Sequence, residues 1–440
     1  MNLKVIGGLC VFVSVLGIFY CSFQRPSGGF MAEPSMVRQP EPKPVAVAPR
    51  TNAVGSPPKA PQAVAPAVVR ETKDELQTAL DQFQGWLTLY TNGSGNLVEG
   101  QRLAWQRQQA MLTLIKEDPR RALASALTYE QRQWLPPAIG RFAEEQVDGR
   151  GDFAVLAASD FTAGETTYTR WVTLGERRFQ AYVYGRRLGQ ISQANLPVHG
   201  VALAGQLALS SEPLRLLSVA EARALAPAAV TPEAICSVSG LAANARQQEV
   251  LAEAGGAVIH FCGVPHFAAA NAQLALAESG GTSVGSRPVK PSAAQDSWTH
   301  GRKTLLYIRV NFPDDLTEPI SENAAYASMN GVNDFFTENS YDQVSLTATV
   351  TPVITMPQIK AYYSPDPALL LADARMTAAK AGYVTANYDR DIVALTSVPG
   401  YTWGGLAYVG GKGVWLQSYG AGVAAHELGH NFGLSHANFW

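Results

Sequence analysis

Apolar residues recur along the chain with two different periods, and the changes of period mark its segments. Leu76, Leu80, Phe83, Leu87 and Tyr90 stand at helical spacing behind Thr72 and Glu75, which have the order of a capping box. The spacing predicts a second helix over 98–116 and a third after Asp118, with Pro119 in its first turn. Between 152 and 210 the period shortens to two. Residues 167–174 and 177–184 then read as a hairpin turning at Gly175 and Glu176. From 303 onward strand and helix patterns alternate. A strand is expected over 303–312, then a helix over 321–338 with Ala325, Met329, Val332, Phe335 and Phe336 as its apolar stripe. A strand-like run covers 344–356, a helix 367–381 and a short buried strand 391–396. A Gly-rich β-like stretch covers 404–417 and a helix 421–431. The later part reads as an α/β layer domain, and residues 70–278 as an α+β module without a catalytic constellation, suited to folding or inhibition.

Two soft stretches separate these parts. Residues 26–69 are rich in Pro, Ala and Val, have little to bury, and read as a semi-rigid spacer. Residues 279–297 are rich in Gly, Ser and Pro, as in a linker open to processing. Ahead of both, Lys4 precedes an uncharged apolar run over 5–23, the pattern of an export signal. No good cleavage site follows, and the run is long enough to span a bilayer, so signal peptide and N-terminal membrane anchor both remain open. A lipoprotein signal fits less well. In either case the rest of the chain is expected outside the cytoplasm, secreted or anchored. The plan is a leader over 1–25, a spacer over 26–69, a pro-like domain over 70–278, a linker over 279–297 and a catalytic domain over 298–440.

Composition adds exclusions. A chain of 440 residues with 47% apolar residues has enough material for sizeable cores. A formal net charge of −2 without a basic stripe gives no footprint for nucleic acid. Of the four cysteines, Cys10 and Cys21 lie in the leader, which leaves Cys236 and Cys262 as a pair suited to one disulfide in an oxidising compartment. Such a bond closes a loop of about 25 residues and stabilises by roughly 3 kcal/mol.

The chemistry sits near the C-terminal end. His426, Glu427 and His430 form the pattern His-Glu-x-x-His, and residues four apart on a helix can bring both imidazoles to one metal ion. Glu427 is then placed to act as general base on a zinc-activated water. His436 follows six residues later, where a continuing helix would carry it away from the metal. Gly433 can adopt a positive φ, end the helix and let His436 return as third ligand. Three protein ligands leave one position open, as a catalytic zinc site requires.

The full pattern His-Glu-x-x-His-x-x-Gly-x-x-His resembles that of metzincin-clan zinc metallopeptidases. Within that clan, residues 304–440 resemble the gametolysin family through 335–341, 350–353, 404–413 and 424–437. The resemblance implies a zincin-type, metzincin-like α/β catalytic domain preceded by the α+β pro-like domain and the Pro-rich linker. It implies His426, His430 and His436 as zinc ligands, Glu427 as general base, and hydrolysis of peptide bonds in a protein or peptide substrate. Extracellular or wall glycoproteins are the substrates that gametolysins suggest. An edge strand near 404–417 is expected to take substrate by strand addition, which a Gly-rich strand permits. Metzincins also carry a methionine turn after the zinc motif. The last methionine here is Met376 and the sequence ends at Trp440, so the catalytic domain reads as C-terminally truncated. The segment from His260 to His266 resembles the cysteine switch of matrix metalloproteinase propeptides, which gives Cys262 a second expectation beside the disulfide. From another class stands the alternative of an inactive zincin-fold adhesion or scaffold protein of the cell envelope.

Overall fold

In the computed structural model the described residues are 67–159, 166–229, 235–243, 249–278 and 297–436. The expected leader, almost all of the spacer and nearly all of the 279–297 linker lie outside them. No helix among the described residues is long and apolar enough to cross a membrane.

The chain opens with α1 (Ala67–Thr91), α2 (Leu97–Glu117) and α3 (Pro119–Ala124). Asn96 caps α2 and Asp118 caps α3, each through a side-chain oxygen that accepts N–H bonds from the first turn. The expected cap at Thr72 is not a cap. The helix already runs from Ala67, because nothing between Pro66 and Thr72 breaks it, so Thr72 and Glu75 lie inside α1. Two short helices, α4 (Tyr129–Trp134) and α5 (Pro137–Gly140), lead into β1 (Glu145–Ser159).

β1 is the pivot of the fold. A bulge between Gly151 and Phe153 divides it. Its first half pairs with β4 (Gln193–Leu203), and its second half pairs with β2 (Thr166–Leu174). The hairpin of β2 with β3 (Arg177–Tyr182) is present, turning at Gly175 as expected. β5 (Gln206–Leu209) bridges β3 and β4 and closes these strands into a small barrel. Alternate residues fill it, among them Phe153, Val155, Ala157, Val172, Phe179 and Leu207. A smaller unit follows. It contains β6 (Arg215–Leu216), α6 (Val219–Ala229), β7 (Val250–Ala254), β8 (Ala257–Phe261) and α7 (Val264–Glu278), with its own three-stranded sheet.

The later part alternates as the pattern predicts. It comprises β9 (Gly301–Asn311), α8 (Glu322–Asn339), β10 (Val344–Thr355), α9 (Lys360–Tyr363), α10 (Pro367–Lys380), β11 (Arg390–Leu395), β12 (Gly405–Tyr408), β13 (Val414–Leu416) and α11 (Ala421–Asn431). Successive residues of β9 and β11 are buried on opposite faces. Leu305, Tyr307, Ile392 and Ala394 pack against α8 and α11, while Leu306, Ile308, Val393 and Leu395 pack against α10. All five expected stripe residues of α8 are buried.

The order of the large sheet is β10-β9-β11-β13-β12-β1-β2-β3-β5-β4, so one ten-stranded sheet runs through both parts of the chain. β10, β9, β11 and β13 are mutually parallel, and β12 is antiparallel to its neighbours. The expectation of an open edge at 404–417 is therefore corrected. β12 pairs with β13 on one side and with β1 on the other, in the register Gly405 to Ser159 through Tyr408 to Leu156. The physical reason is that an exposed antiparallel edge offers unpaired N–H and C=O groups, and the second half of β1 satisfies them.

Candidate metal centre

α11 carries the site. Ala424, Ala425 and Leu428 are buried against α8 and the sheet, which fixes the helix roll. Gly433 has φ +96 and ends the helix as expected. Its N–H donates to the His430 carbonyl at 2.8 Å, and the Leu434 N–H donates to the Gly429 carbonyl at 3.1 Å. This pair of bonds is a Schellman C-cap, in which the position after the last helical turn must be left-handed. The reversal brings His436 back onto the helix that carries the other two histidines.

The three Nε2 atoms meet. His426 and His436 are 2.8 Å apart, His430 and His436 3.1 Å, and His426 and His430 3.2 Å. Ligands held about 2.0–2.1 Å from one ion have separations of this size. The His430 Nδ1–H donates to the Leu434 carbonyl at 2.7 Å, which leaves the lone pair of the neutral ring on Nε2. Burial, with the neighbouring imidazoles, lowers the pKa of His426 to about 4 and that of His430 to about 3. Burial also lowers that of His436. Three ring nitrogens thus converge within 3.2 Å of one another, an arrangement that a cation can bridge. This group can hold a metal ion.

Glu427, next to His426, is fully buried. It lies over β12 at Gly405, where a Cβ would stand 2.4 Å from its Oε1 and 2.6 Å from its Cγ. Only glycine leaves room there for the carboxylate. The sequence pattern placed Gly-rich β structure here for a different reason, the approach of another backbone. The side chain of Glu427 is what uses the space.

Two further residues escaped the sequence reading. Asn431 is buried at the end of α11, and its Nδ2 donates to the carbonyls of Tyr408 at 3.0 Å and Gly413 at 3.1 Å. Its Oδ1 accepts the Gly413 N–H at 3.3 Å, so the side chain ties α11 to the β12–β13 turn. An amide inside a helix stripe that should be apolar was the available signal. Tyr168 on β2 accepts the backbone N–H of His436 at 2.9 Å and packs its ring beside that imidazole. The earlier module therefore touches the third histidine directly, which no local pattern reveals.

Cys236 and Cys262 stand elsewhere. Both are free thiols in this structure. Their sulfurs group with His266, apart from the three histidines. His266 lies in the first turn of α7, with Nδ1 3.0 Å from Cys262 Sγ and 3.5 Å from Cys236 Sγ.

No curated protein and no solved structure matches the chain. Residues 373–439, which span β11, β12, β13 and the whole histidine motif, match the family model of Peptidase M66, and the match supports a metallopeptidase family for this part of the chain.

Proposed function

We propose that the chain is an exported zinc-dependent endopeptidase, related to the metzincins and near the gametolysins, in which the earlier module covers the catalytic part. The observation that carries the reading is the convergence of three neutral imidazole nitrogens beside a buried glutamate. His426, His430 and His436 would hold the ion. Zinc suits three imidazoles with an open position, and when bound it supplies Lewis-acid chemistry, polarising a carbonyl and making water acidic near neutral pH. Glu427 takes a proton from the attacking water on a carboxylate oxygen and delivers it to the leaving amine nitrogen. Its burial keeps bulk water from competing, and Gly405 fixes its position. His430 is held in the ligating tautomer by the Leu434 carbonyl.

The pairing of β1 with β12 supports the covering role. An extended substrate that adds to β12 needs the N–H and C=O groups that β1 uses. The protein or peptide substrate, with extracellular or wall glycoproteins as its class, belongs to this proposal, as does the anchoring or export that the 5–23 run suggests.

The test is proteolysis by zinc-loaded chain, before and after a cut engineered into 279–297, with Glu427→Ala as control. Cleavage of a protein substrate that disappears in Glu427→Ala is expected, stronger after the cut. No cleavage in either form, or equal cleavage by the variant, would favour the scaffold alternative. Equal activity before and after the cut would remove the covering role alone.

A further inference from the structure

The unit over 212–278 has little to hold it together. Its core consists of Leu214, Cys236, Ala243, Ala252 and Phe261 with a few half-buried neighbours, and α7 has no buried residue at all. Units this small ordinarily need a staple, either disulfide or metal. Two turns meet at the place where one would act. In the first, the Cys236 N–H donates to the Leu241 carbonyl at 2.8 Å and the Gly240 N–H to the Cys236 carbonyl at 2.9 Å. The second joins β8 to α7 and carries Cys262 and His266.

The three side chains face one another. His266 Nδ1 lies 3.0 Å from Cys262 Sγ and 3.5 Å from Cys236 Sγ, and all three atoms lie within 4.8 Å of one another. Two sulfurs and one imidazole around a single zinc-class ion, at about 2.3 and 2.0–2.1 Å, are separated by such distances. A disulfide would leave the imidazole without a role. Ser239 Oγ, on the first turn, lies 3.5 Å from Cys262 Sγ, so the two turns are in side-chain contact at this point.

We propose that Cys236, Cys262 and His266 form a second metal site, which binds a thiophilic ion of the zinc class and fastens α7 to the 236–241 turn. Two thiolates with one imidazole select zinc over the hard cations. The site is separate from the histidine centre and does not depend on the endopeptidase reading.

The full chain, reduced, stripped with chelator and reloaded with Zn2+, is expected to retain two zinc ions per chain after desalting. Cys262→Ser and His266→Asn should each retain one, and so should a His426→Asn, His430→Asn double variant. Loaded with Co2+, the parent and the double variant should show the near-ultraviolet thiolate-to-cobalt band, and Cys262→Ser should lose most of it. His266→Asn leaves both cysteines in place, so the count remains interpretable if a cysteine variant does not fold. One zinc ion in the parent, lost entirely in the double variant, would overturn the proposal. A cobalt band unchanged in Cys262→Ser, or a Cys236–Cys262 cross-linked peptide that persists after reduction and reloading with zinc, would overturn it as well.

Discussion

Gly405→Ala tests the proposed catalytic geometry without substituting a histidine or the glutamate. The added Cβ would lie 2.4 Å from Glu427 Oε1, 2.6 Å from its Cγ and 2.7 Å from its Cδ. Ordinary contact begins near 3.4 Å, so the carboxylate must shift by about 1 Å. It has nowhere cheap to go, because Glu427 is fully buried and α11 is fixed by Ala424, Ala425 and Leu428. A displacement of about 1 Å in a reacting group costs ~10²-fold in rate, or ~2.7 kcal/mol of transition-state stabilisation. The extra methyl costs folding about 1–3 kcal/mol. The loss should fall on kcat rather than KM, since the backbone pairing of β12 is unchanged by alanine. The assay is steady-state cleavage of a protein substrate by parent and variant at matched zinc content, with thermal melts to separate folding from chemistry. A Gly405→Ala protein with full zinc, a near-parental melt and parental kcat would refute the argument that Glu427 acts from this position.

Two other outcomes follow from the same site. Gly433→Ala places a Cβ at φ +96, where its nearest neighbour, Ile191 Cδ1, is an unstrained 4.0 Å away but the backbone itself is strained, at about 1–2 kcal/mol. Relief of that strain swings His436 away, so zinc affinity should fall by at least tenfold, read by competition with a chromophoric chelator; unchanged affinity would contradict the capping argument. Removal of metal should leave a protein that weakens in acid. The His426 and His430 pKa values lie near about 4 and about 3, below the ordinary ~6.5 of the unfolded chain, so between these limits the unfolded state binds more protons. Stability of the metal-free protein is then full above about pH 6.5 and falls as pH drops toward 4, by up to ~1.4 kcal/mol per pH unit for each group. Melting temperatures of the chelated protein that stay flat across that window would contradict it.

What the sequence made legible was local. The stripe of α8, the alternation of β9 and β11 on two buried faces, and the cap at Gly433 all follow from spacing within a dozen residues, where period and backbone preference act directly. Thr72 shows the limit on that scale, since a capping box marks a helix start only where the chain before it cannot be helical. The larger misses are non-local. Periodicity identifies β12 as a strand but not its neighbour, and that neighbour comes from some 250 residues earlier in the chain. Likewise the spacing of Cys236, Cys262 and His266 allowed a bond or a switch, and only the fold of two turns against each other shows three ligands facing inward.

The continuity of the sheet carries a consequence for how the two parts act together. Gly405 is at once the residue beneath the Glu427 carboxylate and the residue paired with Ser159 at the end of β1. Beside it, Tyr168 of β2 receives the N–H of His436. A strand that displaced β1 would inherit the register of β12, and its residue opposite Gly405 would lie level with the Glu427 carboxylate. On the proposed reading, the contact that blocks β12 and the contact that would select the cleaved bond are therefore the same four residue pairs. A cut in the 279–297 segment severs the direct covalent link between the covering part and the part that carries β12, which lowers the local concentration of β1 and lets a substrate strand compete better along β12. A substrate segment with an extended, strand-forming sequence would gain most from that competition, and one interrupted by proline opposite 405–408 would gain least.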